Sequence, residues 1–232
     1  MARDFPTRLQ REESNEWNIA GNTATAGQTS TASVDVRSDG GGLWVATMSD
    51  IRIRDKADLA AWRATRQICN GGVVPINVFR LDLLAPFPAG GPTTSPTYAH
   101  TDATLFTDGT GYVEPVIKVN CPAGAALRAT SMVIELVNCA ALQGGEAFSI
   151  LHSVFGWRMY EIATVEVDLD DSTLVTVTFN PPLRQRIEPG QEIEFDQPRC
   201  LMKLAAASAM NFILQQLPYS KASVKFVESR YG

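Results

Sequence analysis

The sequence predicts a mainly β chain carrying one well-defined α-helix. Two observations lead there. Residues 39–82, DGGGLWVATMSDIRIRDKADLAAWRATRQICNGGVVPINVFRLD, read as strand, helix, strand, and beyond a Pro- and Gly-rich break short apolar stretches recur between turn residues. With 232 residues, 45% of them apolar, the chain can bury one large core or two small ones.

Residues 1–32 are small and polar, with Thr23, Thr25, Thr29, Thr31, Gly21 and Gly27 but few apolar anchors. They are expected to form an arm that docks through Trp17 and Ile19 and runs extended into a strand at 33–37. Gly40, Gly41 and Gly42 permit a tight reversal, so that strand and a second over 43–50 are expected to form a hairpin. Trp, Val, Thr and Ile between 43 and 53 suit a pleated, half-buried surface. Asp55 stands where a helix N-cap belongs, Asp58 lies in the acidic first turn, and Gly71-Gly72 supplies the stop. On the helix between them Leu59, Trp62 and Cys69 line one face, with Ala61, Ala64 and Ile68 beside it. Lys56, Arg63, Arg66 and Gln67 are left for water. Trp44, Leu59 and Trp62 are the predicted structural core of this unit. A strand is expected within 73–84, from Val73, Val74, Ile76, Val78, Phe79 and Leu81.

Pro86, Pro88, Gly90, Gly91, Pro92 and Pro96 then interrupt any ladder and mark a domain boundary. Strands are expected at 112–119, 131–137, 147–152, 158–167 and 174–179, with turns at Asp108-Gly109, Gly144-Gly145 and Asp170-Asp171. This spacing fits an antiparallel barrel or sandwich. In the last of these strands Val175, Val177 and Phe179 share one face and Leu174, Thr176 and Thr178 the other. Glu188-Pro189-Gly190-Gln191 has the residues of a type II turn. Residues 199–205 and 223–228 read as strands, whereas 206–216 has the propensity of a short helix.

These residues carry a resemblance. GGLWVATMSDIRIR, then ADLAAWRA, then a Gly-flanked return strand, together with FNPPLRQRIEPGQEIEFDQPRCLMKL (179–204) and KASVKFVE (221–228), are similar to distal tail proteins of long-tailed bacteriophages. The resemblance covers roughly residues 19–87 and 144–228 and is weakest over 88–143. It implies a split β-barrel-like domain with one α-helix, formed by 1–84 and 197–232, plus an inserted antiparallel β-barrel or β-sandwich domain over 85–196. It also implies a virion protein of the tail tip, assembled in the bacterial cytoplasm as a hexameric ring between tail tube protein and tail hub protein, with a channel for DNA.

Catalytic signals are weak by comparison. His100 and His152, the only histidines, are far apart and are read as surface or loop residues. The cluster His100, Asp102 and Asp108 has the residue types of a metal site, but its spacing matches no ligand loop and reads as an Asp-Gly turn. Asp168, Asp170 and Asp171 read as turn formers, and GGEAF and DGTG lack the strand-to-helix setting of a phosphate cradle. Trp44, Trp62 and Trp157 are read as packing residues before a sugar platform. Cys69, Cys121, Cys139 and Cys200 form no CxxC pair and are expected to be reduced, mostly buried thiols. The expectation is therefore no enzyme, no cofactor and no metal. No apolar run approaches 18 residues and the amino terminus lacks a signal-peptide profile, so no membrane partner is expected. A net charge of -5 without a basic segment argues against sequence-specific nucleic-acid binding. Two other readings are a tail-tip module that binds a host-surface carbohydrate or protein, and a small hydrolase joining one histidine to a carboxylate.

Overall fold

The computed structural model describes residues 2–10, 12–21, 23–25, 36–38, 41–81, 84–89, 97–98, 112–113, 117–212 and 220–230. It is mainly β, with 47% strand and one helix. In chain order the elements are β1 (Ser14–Ala20), β2 (Thr23–Thr25), β3 (Val36–Ser38), β4 (Leu43–Ile53), α1 (Lys56–Cys69), β5 (Ile76–Phe79), β6 (Thr97–Tyr98), β7 (Tyr112–Val113) and β8 (Lys118–Cys121). There follow β9 (Ser131–Asn138), β10 (Ala147–His152), β11 (Gly156–Val167), β12 (Leu174–Asn180), β13 (Gln191–Ile193), β14 (Arg199–Leu204) and β15 (Ser220–Glu228). Two compact units result: Met1–Arg80 with His152–Arg158 and Arg199–Gly232, and Leu81–Leu151 with Met159–Pro198.

The first unit is built on a five-stranded sheet in the order β1-β4-β15-β14-β5. The carboxy-terminal strands lie inside this sheet: β15 pairs antiparallel with β4, and β14 with β5. Along β4, Trp44, Ala46 and Met48 are buried, then Ile51 and Ile53. The phase changes because Asp50 adopts a left-handed φ of 58° where the register with β15 shifts between Ala222 and Val224.

Helix α1 begins where its cap predicts, with the Asp55 side chain accepting from Asp58 N at 2.7 Å. It ends at Asn70 in the left-handed region, followed by Gly71 at φ 65°. Its buried stripe is Asp58, Trp62, Thr65 and Cys69. Trp44 and Trp62 are each 1% exposed, but Leu59 is only half-buried and Ala64 is exposed, which corrects the expected face. Two polar residues take the inward positions because each has a local partner. Asp58 accepts from Arg54 N and Arg8 Nε, and the Thr65 hydroxyl donates to Ala61 O.

Other expectations for this unit also change. β4 pairs with β1 over seven positions from Ser14–Ser49 to Ala20–Leu43, whereas β3 pairs with β2, so the hairpin around DGGG is not formed. Gly42 instead admits the end of β1, since a Cβ there would collide with Ile19 Cγ2 and stand 3.2 Å from Ala20 O. The amino-terminal segment docks at more than one point: Phe5 and Leu9 are fully buried, and Phe5 meets Phe226 edge-on at 5.6 Å. The strand expected within 73–84 shortens to β5, leaving Val73 76% exposed. Residues 206–210 form a turn rather than a helix, and 213–219 lie outside the described residues.

The second unit holds an antiparallel sheet in the order β10-β11-β12-β9-β8-β13, which curls into a nearly closed six-stranded barrel. Closure comes from a bridge between Ser149 and Glu194, where each backbone N–H donates to the other's carbonyl at 2.8 and 2.9 Å. Inside, Phe148 stacks on Tyr160 at 5.4 Å and meets Phe179 edge-on at 5.6 Å. Val175, Val177 and Phe179 face this core, as their alternation predicts. Gly190 has φ 80° and Gln191 N donates to Glu188 O, the geometry expected of the Pro-Gly turn.

Candidate functional site

The most concentrated polar chemistry of the first unit lies between the tip His152–Arg158 and the end of β15. Arg158 is 1% exposed and Glu228 and His152 are each 2% exposed. Arg158 Nη1 donates to Glu228 Oε1 at 3.2 Å and also to the carbonyl of Ser229. The other carboxylate oxygen of Glu228 accepts from Trp44 N at 3.1 Å. Arg158 Nε and Nη2 find no hydrogen-bond partner among the described residues. Burial, then the nearby Arg158 charge, push the His152 imidazole down to about 4, so it is neutral across the physiological range. His152 is therefore a buried residue, which corrects its expected place on the surface. The cluster joins strand ends and offers no open position to a substrate. Its one legible sequence signal is Glu228, which shares the inward phase of β15 with Ala222, Val224 and Phe226.

Beside it, the Arg199 guanidinium lies 4.6 Å from the Trp157 ring and 4.8 Å from the Phe79 ring. Half-buried Trp157 is thus a packing surface for a cation and not an open platform.

In the second unit a cavity of about 150 Å³ is lined by Leu84, Ala85, Pro86, Phe87, Ala140, Ala141, Gln143 and Glu146. Glu146 is 4% exposed and its two oxygens accept from Gln143 N at 2.6 Å and Gly144 N at 2.7 Å. The GGEAF segment is a carboxylate clasping its own loop. Asp168 and Asp171 likewise serve a turn: Asp168 accepts from the backbone of Asp170 and Asp171, and Asp171 from Thr173 N and Oγ1. His100, Asp102 and Asp108 lie outside the described residues. Among the described residues no group of three or more His, Cys, Asp or Glu could hold a metal ion. All four cysteines are free and buried, and burial raises the Cys69 thiol to about 11 and Cys139 to about 12, the nearby Glu146 adding to the latter. These thiols are poor nucleophiles.

The two edges of the five-stranded sheet differ. The β5 edge is occupied by the amino-terminal segment, where Phe5 N donates to Asn77 O and Asn77 N to Arg3 O, each at 2.8 Å. At the other edge of the sheet β1 pairs, among the described residues, with β4 alone. The open face of this sheet carries charged groups: Glu13 accepts from Lys221 Nζ at 2.8 Å and Arg52 Nη2 at 2.5 Å, and these bonds, that from Lys221 first, hold its carboxyl below the ordinary range. Lys203 and Lys225 point from the same face.

No family model and no curated protein matches this chain.

Proposed function

We propose that the chain is a structural protein of a phage tail tip, a distal tail ring subunit that joins the tail tube to the hub and leaves a channel for DNA. The observation that carries this reading is the pairing of β15 with β4 and β14 with β5 around the strand-helix-strand unit. Residues 199–204 and 221–228, from the carboxy-terminal segments that resemble distal tail proteins, pair as β14 and β15 with β5 and β4 of the amino-terminal segment. The barrel is strung between β5 and β14, as an insertion would be. Among the described residues β1 pairs with β4 alone, and this seven-residue strand has neither proline nor lysine, so a neighbouring subunit in an assembly would cover its second edge. Six copies are proposed for the assembled ring.

Host-surface recognition receives less support. Exposed aromatics across 98–180 would favour it, but the large exposed hydrophobics among the described residues of that range are Leu127, Val133, Val137, Leu151, Val154, Val167 and Leu169, all aliphatic.

The test is location. Gold-labelled antibodies to this chain should decorate the distal end of the tail in phage particles that contain it. Label confined to the capsid, or absent from particles carrying intact tails, overturns the proposal.

A further inference from the structure

The net charge of -5 conceals a strong division. The first unit has sixteen Lys and Arg against ten Asp and Glu, a net +6, and the second has four against fifteen, a net -11. On the open sheet face of the first unit, Lys203 stands opposite Val227, which stands opposite Val45, while Lys225 stands opposite Thr47. Strand alternation puts Lys225 on the same side as Val227, two positions away. Two exposed ammonium groups thus border a half-buried Val227–Val45 pair. Unlike Lys221 and Arg52, which share Glu13, these two lysines have no ion-pair partner among the described residues.

The second unit presents matching chemistry at the β11–β12 turn. Leu169 is 102% exposed, and exposed Glu166, Asp168, Asp170 and Asp171 surround it in sequence. The bonds from Asp168 and Asp171 to backbone N–H groups order the turn while the leucine side chain stays in water. An apolar tip flanked by carboxylates complements an apolar pair flanked by ammonium groups.

We propose that the open sheet face around Lys203, Lys225 and Val227 docks the β11–β12 turn of a second copy of this chain. Different surfaces meet, so the contact is heterologous and propagates from copy to copy, closing into a ring when the rotation permits. The inference stands independently of the tail reading, because it concerns only how copies of the chain recognise each other. Its attraction is electrostatic and weakens as salt shortens the Debye length to about 3 Å near 1 M.

The test uses three preparations of the full chain in sedimentation velocity: wild type, Lys203→Glu/Lys225→Glu, and Glu166→Lys/Asp170→Lys. All four changes are at exposed positions, and an unaltered unfolding midpoint checks that each variant is folded. Wild type should associate at low salt and dissociate near 1 M salt. Each variant alone should remain monomeric, and the two mixed should associate, because the unaltered turn of the first variant meets the unaltered face of the second, and the reversed face of the first meets the reversed turn of the second. A wild type that is monomeric at low salt overturns the proposal, as does a mixture that stays monomeric. Binding of a DNA duplex that is lost in Lys203→Glu/Lys225→Glu, with no association in the mixture, assigns the face to nucleic acid and also overturns it.

Discussion

Arg158 and Glu228 form an ion pair at 3.2 Å with each side chain 2% exposed. Glu228 also accepts from Trp44 N, so three distant parts of the chain meet at one carboxylate. Removing one member leaves the other charged and buried. Arg158→Met or Glu228→Gln should each cost about 3–5 kcal/mol in urea unfolding, whereas Arg158→Met/Glu228→Leu should recover much of that loss. Additive losses in the double variant would show that the pair is not coupled.

The buried stripe of α1 makes Trp62 the larger anchor. It is 1% exposed and its indole N–H donates to Met210 O at 3.2 Å. Trp62→Ala should cost about 3–5 kcal/mol, and Leu59→Ala less than about 2 kcal/mol because Leu59 is half-buried. Equal losses would place Leu59 in the core after all.

His152 gives the first unit a specific acid sensitivity. Its folded value of about 4 lies below the ordinary 6.5, so the unfolded chain binds the proton more readily between these values. Its contribution is fully present above pH 6.5 and is lost as pH falls toward 4. The full loss is of the order of 3 kcal/mol. Carboxylates titrate in the lower part of the same window, so the measurement is the difference between wild type and His152→Gln. Wild type should lose stability more steeply from pH 6.5 to 4; parallel curves would mean that His152 is protonated in the folded protein.

Two glycines in the barrel separate backbone strain from collision. Gly124 and Gly190 both have positive φ, at 67° and 80°, but a Cβ on Gly124 would stand 2.6 Å from Ile187 O while one on Gly190 meets nothing within 4 Å. Gly124→Ala should therefore cost more than Gly190→Ala, whose penalty is the left-handed backbone alone, about 1–2 kcal/mol. The reverse order in thermal or urea unfolding would contradict the turn packing.

Local signals made much of this fold legible. Asp55 and the Asn70-Gly71-Gly72 run bound α1 because capping depends on adjacent residues, and alternation in β12 identifies its inward valines without knowledge of its neighbours. Pairing was less legible. β1 is polar because it is an edge strand, exposed at most positions, so SNEWNIA carries little apolar alternation to identify it. Asp58, Thr65 and His152 are buried through specific bonds or neighbours, which hydrophobic periodicity does not detect. The candidate assembly face required strand register: Lys203 and Lys225 are 22 positions apart in the numbering and become neighbours only through the β14–β15 ladder.

The most direct test of the ring-subunit proposal is the copy number and symmetry of this chain in intact tails, determined by electron cryomicroscopy at a resolution that traces β4, α1 and β15. A ring subunit should appear as six copies in one closed ring at the distal end of the tube, encircling an open channel. A single copy on the tail axis, or copies spread along the tube, would contradict it.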